Sequence, residues 1–296
     1  MFVLLGASDD PCLVAVTGAL AARSREALII RHPFMDHVCA AWRFDSERSD
    51  TSLTIGGEQI VVDGVFAARR AAQPVAPAEQ WSQADLLYNQ AEAEAALLGW
   101  LWGLSCPVID RLPAWLWYRT RRPVLGWAPL LEQSGLPPLD SIISGDGKAL
   151  AQFMQRHGGA AMGSLAGGAR QLVDESEAAQ ISATAQMAPV RLTALHQGAW
   201  RACLVGPHLV WDDGTPRQAG DLSPKLRSFA ASTGLSFLEF IVTSGDTPRM
   251  VDIDVRPRFE LFGPDAQSAI ADGLADALTQ ANAACDDAKA NARVTP

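Results

Sequence analysis

The chain has 296 residues, of which 48% are hydrophobic and 19% charged, and its formal net charge at pH 7 is -9. This length and composition allow a large buried core, in one large domain or in two to three smaller ones. The negative charge argues against general nucleic-acid binding, because neutralising phosphates requires a basic surface. The longest uncharged run near a helical pattern, residues 95–109, is too short to span a membrane and contains Pro107. We therefore expect neither nucleic acid nor membrane as a partner, and the non-basic start of the chain favours a cytoplasmic protein.

The first third of the sequence predicts a small α/β layer. Residues 2–6 and 27–30 have the pattern of strands on either side of an alanine-rich helix, which is a β-α-β opening. A Gly-Gly turn between two β-branched runs then indicates a hairpin. Residues 82–104 carry apolar side chains at helical spacing, with Ser82 as the cap. We place a boundary near residue 120.

The middle of the chain is marked by a glycine-rich segment. It follows a predicted strand at 139–143 and a predicted helix at 148–157, and residues 158–168 contain five glycines. Such a segment can lie over phosphates because its backbone amides approach closely, or it can be a simple turn. Both interpretations stay open from the local sequence.

The rest of the chain alternates strands with helices. The predicted strands cover residues 190–195, 200–205, 209–211, 236–243 and 249–255. A helix at 223–233 has Ser223 as its cap and Pro224 as its first residue. A last alanine-rich helix begins at Pro264.

Three acidic residues fall on the last two predicted strands. In a regular hairpin Glu239 lies opposite Asp252, and the period of two puts Asp254 on the same face. Like charges at opposite positions repel, so a cation between them is expected, and Mg²⁺ is the natural candidate. The alternative is a solvated face on which the acids pair with arginine, for which the nearest candidates are Arg249, Arg256 and Arg258.

Several short motifs resemble those of the ATP-grasp superfamily. Glu239 and the segment 252–257 (Asp-Ile-Asp-Val-Arg-Pro) resemble its carboxy-terminal metal-binding signature. The segment 198–201 (Gly-Ala-Trp-Arg) resembles its Gly-x-x-Arg strand, and the segment 234–237 resembles its Gly-Leu-x-Phe segment. Upstream, the segment 64–70 resembles the amino-terminal half of the glutathione synthetase-like and peptide-modifying branch.

The resemblance implies an α/β fold in consecutive parts, with a nucleotide cleft between the second and the third. These parts are a Rossmann-like pre-ATP-grasp domain at 1–120, a small central subdomain at 121–180, a carboxy-terminal subdomain at 181–285 and a flexible tail at 286–296. It also implies ATP and Mg²⁺ as ligands. Glu239, Asp252 and Asp254 would bind the metal, Arg201 would contact phosphate or acyl-phosphate oxygens, and Arg256 would bind phosphate or substrate.

The two phosphate-binding lysines of the family have no counterpart at the matching stretches, 121–125 and 162–165. Arginine also binds phosphate, although it does not replace a compact ammonium group directly. The candidates for phosphate binding are Arg121, Arg122, Arg170 and the loop glycines Gly163, Gly167 and Gly168. Thr193 and Ala194 stand where the family binds adenine.

Two functions follow from the resemblance. The first is an ATP-dependent ligase that joins a carboxylate to an amine through an acyl phosphate, with a small molecule or a peptide as substrate. The second is a degenerate ATP-grasp-like protein that binds a ligand without turnover. A homodimer or a partner enzyme is compatible with either function.

Overall fold

The computed structural model describes residues 1–34, 38–44, 49–67, 81–112, 116, 124–163, 170–174, 177, 180–181, 183, 188–196, 198–212, 214 and 216–292. The strands are β1 (Phe2–Leu5), β2 (Ala27–Ile30), β3 (Val38–Phe44), β4 (Ser49–Ile55), β5 (Glu58–Ile60), β6 (Gly64–Phe66), β7 (Val108–Ile109), β8 (Ser141–Ser144), β9 (Ala160–Gly163), β10 (Arg170–Val173), β11 (Val190–Ala194), β12 (Ala199–Val205), β13 (His208–Trp211), β14 (Phe237–Thr243) and β15 (Met250–Asp254). The α-helices are α1 (Pro11–Ala22), α2 (Gln83–Gly103), α3 (Ala128–Gln133), α4 (Gly147–His157), α5 (Ala219–Thr233) and α6 (Pro264–Ala292). Among the described residues no helix is long and apolar enough to cross a membrane.

The amino-terminal layer is a parallel sheet with the strand order β2-β1-β6-β7. Strand β1 is buried along its whole length, as expected for a parallel strand covered on both faces. Asp10 caps α1 by accepting the backbone N–H groups of Cys12 and Leu13. Helix α2 begins with a capping box between Ser82 and Asp85 and packs on a second, antiparallel sheet, β3-β4-β5. The mixed α/β class expected from the sequence is confirmed.

The central sheet is antiparallel and has the strand order β10-β9-β11-β8. Val190, Leu192 and Ala194 alternate along β11 and pack in one core with Leu150 and Phe153 of α4. Strand β11 pairs with both β8 and β9, so the sheet extends past residue 180, where the sequence predicted the central subdomain to end. The predicted boundary falls within the sheet rather than after it.

The carboxy-terminal sheet is antiparallel and has the strand order β13-β12-β14-β15. One face, which includes Leu238 and Phe240, packs on α5 through Phe229. On the opposite face the residues near the start of β14, such as Phe237, pack on α6 through residues such as Leu274. The central sheet lies beside this one, because Leu139 N–H donates to the carbonyl of Met250 at 2.8 Å.

Helix α5 begins one turn earlier than its sequence predicts. Pro224 lies inside the helix rather than at its first residue. A helical turn already precedes the proline, because Leu222 N–H donates to the carbonyl of Gln218 at 3.0 Å. The proline lacks an N–H group and therefore removes one internal hydrogen bond, which the turn before it and the buried face of the helix outweigh.

Asp110 connects the amino-terminal sheet to the carboxy-terminal sheet. It follows β7, is almost fully buried, and accepts the backbone N–H groups of Ser236 at 3.0 Å and Phe237 at 2.7 Å, as well as the Ser236 hydroxyl. These donors lie at the start of β14. The carboxylate therefore fixes the position at which β14 enters its sheet, and β14 carries the candidate site.

We expect Asp110 to make stability depend on pH. Burial raises the pKa of Asp110 from 3.8 to about 6, against the opposing effect of the hydrogen bonds from Ser236 and Phe237. Between these two values the folded chain holds a proton that the unfolded chain has lost, so the free energy of unfolding falls as pH rises through this window. Urea denaturation of Asp110→Asn from about pH 4 to about pH 7 should show that this fall is lost.

Asp272→Asn is the matched control, because Asp272 is an exposed acid that pairs with Arg23. It should keep the pH dependence of the wild type. Equal pH dependence in Asp110→Asn and the wild type would contradict the assignment.

Candidate functional site

One face of the carboxy-terminal sheet changes from apolar to polar along its strands. Cys203 and Phe237 lie in the core beneath α6. Glu239 stands directly opposite Cys203 on one side and Asp254 on the other. Since residues directly opposite each other share a face, the acids continue the face that the apolar residues begin. We call Arg201, Glu239, Asp252 and Asp254 the polar patch.

The register of the acidic hairpin differs from the predicted one. Glu239 pairs with Asp254, and Asp252 pairs with Ile241, so the ladder is offset by two residues. The register also shifts between Ile241 and Val242. The predicted pairing of Glu239 with Asp252 was therefore wrong, because it assumed a regular hairpin. An offset of two residues preserves the face, so the prediction that the three acids share one face is confirmed.

Glu239 is buried, with 1% of its surface exposed, and arginine surrounds its carboxylate. Its Oε2 accepts the backbone N–H of Arg258 at 2.8 Å and Nε of Arg258 at 3.3 Å. Its Oε1 accepts Nη2 of Arg258 at 2.6 Å and lies 3.4 Å from Nε of Arg201. The hydrogen bond to Glu239 raises the pKa of Arg258, and the charges of Asp254 and Asp252 add to the effect. Glu239 therefore pairs with arginine, which is the alternative to metal binding that the sequence left open.

Arg201 lies at the centre of a second set of contacts. Its Nη1 donates to the carbonyl of Leu261 at 2.5 Å and lies 3.6 Å from Oδ2 of Asp212. Its guanidinium carbon lies 5.6 Å from the ring centre of Phe262, a cation–π arrangement. Arg201 is thus held between Asp212, Glu239 and Phe262 with about a quarter of its side chain exposed. This exposure leaves a fixed positive charge within reach of a ligand.

Asp252 and Asp254 make local contacts with the backbone. Oδ1 of Asp252 accepts the N–H of Ile253 at 3.1 Å, and Oδ1 of Asp254 accepts the N–H of Arg256 at 3.0 Å. Within the described ranges no group of three or more His, Cys, Asp or Glu side chains is arranged to hold a metal ion. The two β15 carboxylates fit Mg²⁺, which takes one or two carboxylates together with substrate phosphates. Glu239 does not fit it while Arg258 occupies its carboxylate.

The residues expected to bind adenine are both buried, and they face opposite sides of the central sheet. The side chain of Ala194 packs in the core beneath α4, and its N–H donates to the carbonyl of Asp140 at 2.8 Å. Thr193 is on the other face, where its Oγ1 accepts the hydroxyl of Ser141 at 3.3 Å. Ala194 therefore offers a ligand neither a side chain nor its N–H.

Arg191 is a candidate residue that the sequence interpretation missed. It alternates with the core residues of β11, so it lies on the same face as Thr193, and only 4% of it is exposed. Gly163 of β9 stands directly opposite Arg191, and Arg170 of β10 stands opposite Gly163. Two arginine positions thus flank a glycine in one row across the sheet. The local sequence does not indicate that this arginine is buried, because its burial depends on the strands that pair with β11.

The other predicted phosphate-binding residues are not in the part of the chain that the structure describes. Arg121, Arg122, Gly167 and Gly168 lie outside the described residues. Gly163 ends β9, and Arg170 begins β10.

We predict that Glu239 stabilises the fold and that Asp254 does not. Glu239→Gln removes the charge between two arginines, and breaking a buried ion pair of this kind should cost about 3 kcal/mol of unfolding free energy. Asp254→Asn is the matched control, because the amide oxygen can still accept the N–H of Arg256. It should change stability by less than about 1 kcal/mol in urea denaturation. Equal effects of the two substitutions would contradict the structural role of Glu239.

No protein-family model and no curated protein matches this sequence significantly. Solved structures do match it over nearly its whole length. The macrocyclase MdnC from Microcystis aeruginosa MRC, bound with precursor peptide MdnA, superimposes with a TM-score of 0.75 at 16% identity, over 95% of this chain and 99% of that one. The ATP-grasp ligase PsnB, complexed with minimal precursor, Mg and ADP, gives a TM-score of 0.75 at 19% identity, over 95% and 98%.

A third match is a RiPP-associated ATP-grasp ligase from Chryseobacterium gregarium, in complex with ADP and a leader and core peptide. Its TM-score is 0.73 at 11% identity, over 94% of this chain and 96% of that one. The resemblance drawn from the carboxy-terminal motif is therefore confirmed at the level of the fold. This chain has the fold of the ATP-grasp ligases that modify peptides.

Proposed function

We propose that this protein is an ATP-dependent ligase that joins a carboxylate of a peptide to an amine. The observation that carries the proposal is the match of the fold, over at least 94% of the chain, to ligases solved with ADP and precursor peptides. The polar patch supports it, because phosphoryl transfer depends on positioned charges around the phosphate. The proposal implies the cytoplasm, where ATP is available, and leaves room for a homodimer or a partner enzyme.

The proposed reaction has two steps. A carboxylate oxygen attacks the γ-phosphorus of ATP, the bond to the β-phosphate oxygen breaks, and ADP leaves. The amine nitrogen then attacks the carbonyl carbon of the acyl phosphate, loses a proton, and expels inorganic phosphate. Arg201 would stabilise the negative charge that builds on the transferred group, since its guanidinium is fixed between Asp212 and Phe262. Arg256 is proposed to bind phosphate or substrate.

We propose that Arg191 binds the ATP phosphates from the central sheet. Its burial places the charge in a low-dielectric setting, where a guanidinium attracts an anion more strongly than in water. The residue opposite it, Gly163, carries no side chain. Arg170, Arg121 or Arg122, and the amides of Gly167 and Gly168 remain proposed as additional phosphate contacts. Thr193 remains proposed at the adenine end, whereas Ala194 has its side chain in the core and its N–H bonded to Asp140.

Magnesium would be held by Asp252 and Asp254. When bound, it would neutralise charge on the β- and γ-phosphate oxygens. The chain's own contribution is to place these two carboxylates on the face that also carries Arg201.

A second candidate function is a binding protein without turnover. The observation that favours it is the ion pair between Glu239 and Arg258, which already balances one of the three acids expected to bind metal. The stretches 121–125 and 162–165, which contain no lysine where the family has its phosphate-binding lysines, also favour a binding protein without turnover.

We predict that ATP binds with a dissociation constant in the micromolar range and that Arg191→Ala weakens it roughly tenfold or more. Calorimetric titration of ATP with magnesium into each protein measures both. Arg249→Ala is the matched control, because Arg249 is exposed and pairs with Asp140, so it should bind ATP like the wild type. Adenosine, which has no phosphates, should bind to Arg191→Ala with the same affinity as to the wild type.

Turnover separates the two candidate functions. Synthetic peptides that contain Glu, Asp and Lys are incubated with the protein, ATP and magnesium, and hydroxylamine is added to trap an acyl phosphate as a hydroxamate. A ligase should release ADP and form the hydroxamate. Micromolar ATP binding with neither product across the peptide set favours the binding protein. The absence of ATP binding at millimolar concentration would reject the ligase and favour a protein that binds another ligand without turnover.

A further inference from the structure

The guanidinium of Arg258 occupies the position at Glu239 where the resemblance places a metal ion. Both carboxylate oxygens of Glu239 accept donors from Arg258, at 2.6 to 3.3 Å, and Arg201 lies 3.4 Å from one of them. A divalent ion needs the oxygen itself at about 2 Å. The ion and the guanidinium therefore cannot occupy the Glu239 carboxylate together.

Hydrogen bonds and packing fix the backbone around Arg258, so the pairing of its guanidinium with Glu239 is a built feature of the fold. The Arg258 N–H is itself bonded to Glu239, and the Arg258 carbonyl accepts the N–H of Leu261 at 2.9 Å. Phe259, the next residue, is buried in the core beneath α6. The turn that holds Phe259 thus delivers the guanidinium to the carboxylate.

Charge supports the same arrangement. Glu239 is almost fully buried, and a buried carboxylate is costly unless an opposite charge and hydrogen bonds compensate for it. Arg258 supplies both, in the two-pronged geometry that suits a guanidinium and a carboxylate. The raised pKa of Arg258 includes contributions from Asp254 and Asp252, so the cation also lies within the field of the other two acids.

We infer that Arg258 is the resident cation of the polar patch, in place of a divalent ion at Glu239. The patch then binds at most one divalent ion, at Asp252 and Asp254, and this ion enters with the nucleotide. The entry of this ion with the nucleotide rests on the proposed function. The exclusion of metal from Glu239 is a property of the protein alone.

The test is titration of Mn²⁺, without nucleotide, into the wild type and variants, with free Mn²⁺ measured by electron paramagnetic resonance. We expect weak binding in the wild type that Glu239→Gln does not change. Arg258→Gln removes the cation and should bind Mn²⁺ roughly tenfold or more tightly than the wild type, and adding Glu239→Gln to it should abolish the gain. Arg258→Lys keeps a positive charge and should behave like the wild type, as should Arg249→Gln.

Stability gives an independent readout. Arg258→Gln should melt at a lower temperature than the wild type in the absence of metal and recover with Mg²⁺, because a ligand that binds only the folded state stabilises it. The inference is overturned if folded Arg258→Gln binds Mn²⁺ no better than the wild type. It is also overturned if the wild type binds Mn²⁺ tightly and Glu239→Gln removes that binding, an arm that holds even if Arg258→Gln does not fold. Because no ATP is present, neither outcome bears on whether the protein is a ligase.

Discussion

The buried carboxylate of Glu239 between Arg258 and Arg201 is the interaction on which the rest of the site depends. It joins a residue of β14, a residue of β12 and the turn after β15, so one charge cluster ties three neighbouring segments together. Such a cluster is expensive to bury and is tolerated only when its hydrogen bonds are satisfied. The cluster fixes Arg201, and it also decides which acids remain accessible to a cation.

The same sheet face serves stability at one end and chemistry at the other. Phe237 and Cys203 continue into the core beneath α6, and two residues further along β14 the face turns polar. Asp110 fixes the entry of β14 from outside the sheet, through three donors at Ser236 and Phe237. The packed half of the face thereby sets the position of the polar patch. A substitution in the core beneath α6 is therefore expected to displace the side chains of the polar patch.

The sequence predicted what local pattern determines. Helix α2 followed from its spacing and from Ser82, and the shared face of the acids survived a register error of two residues because side chains alternate with a period of two. The exact pairing depended on an irregularity between Ile241 and Val242 that no local pattern encodes. Arg191 was missed as a site residue because its position follows from pairing across a sheet. Arg258 was predicted only as one of three possible partners of the acids, because its pairing with Glu239 arises across a turn.

The most direct test of this account is a crystal structure with magnesium and a non-hydrolysable ATP analogue. We predict that the phosphates contact Arg201 and Arg191, that any metal ion is bound by Asp252 or Asp254, and that Glu239 stays paired with Arg258. A nucleotide bound away from the polar patch would contradict it. So would a metal ion bound to Glu239 with Arg258 displaced.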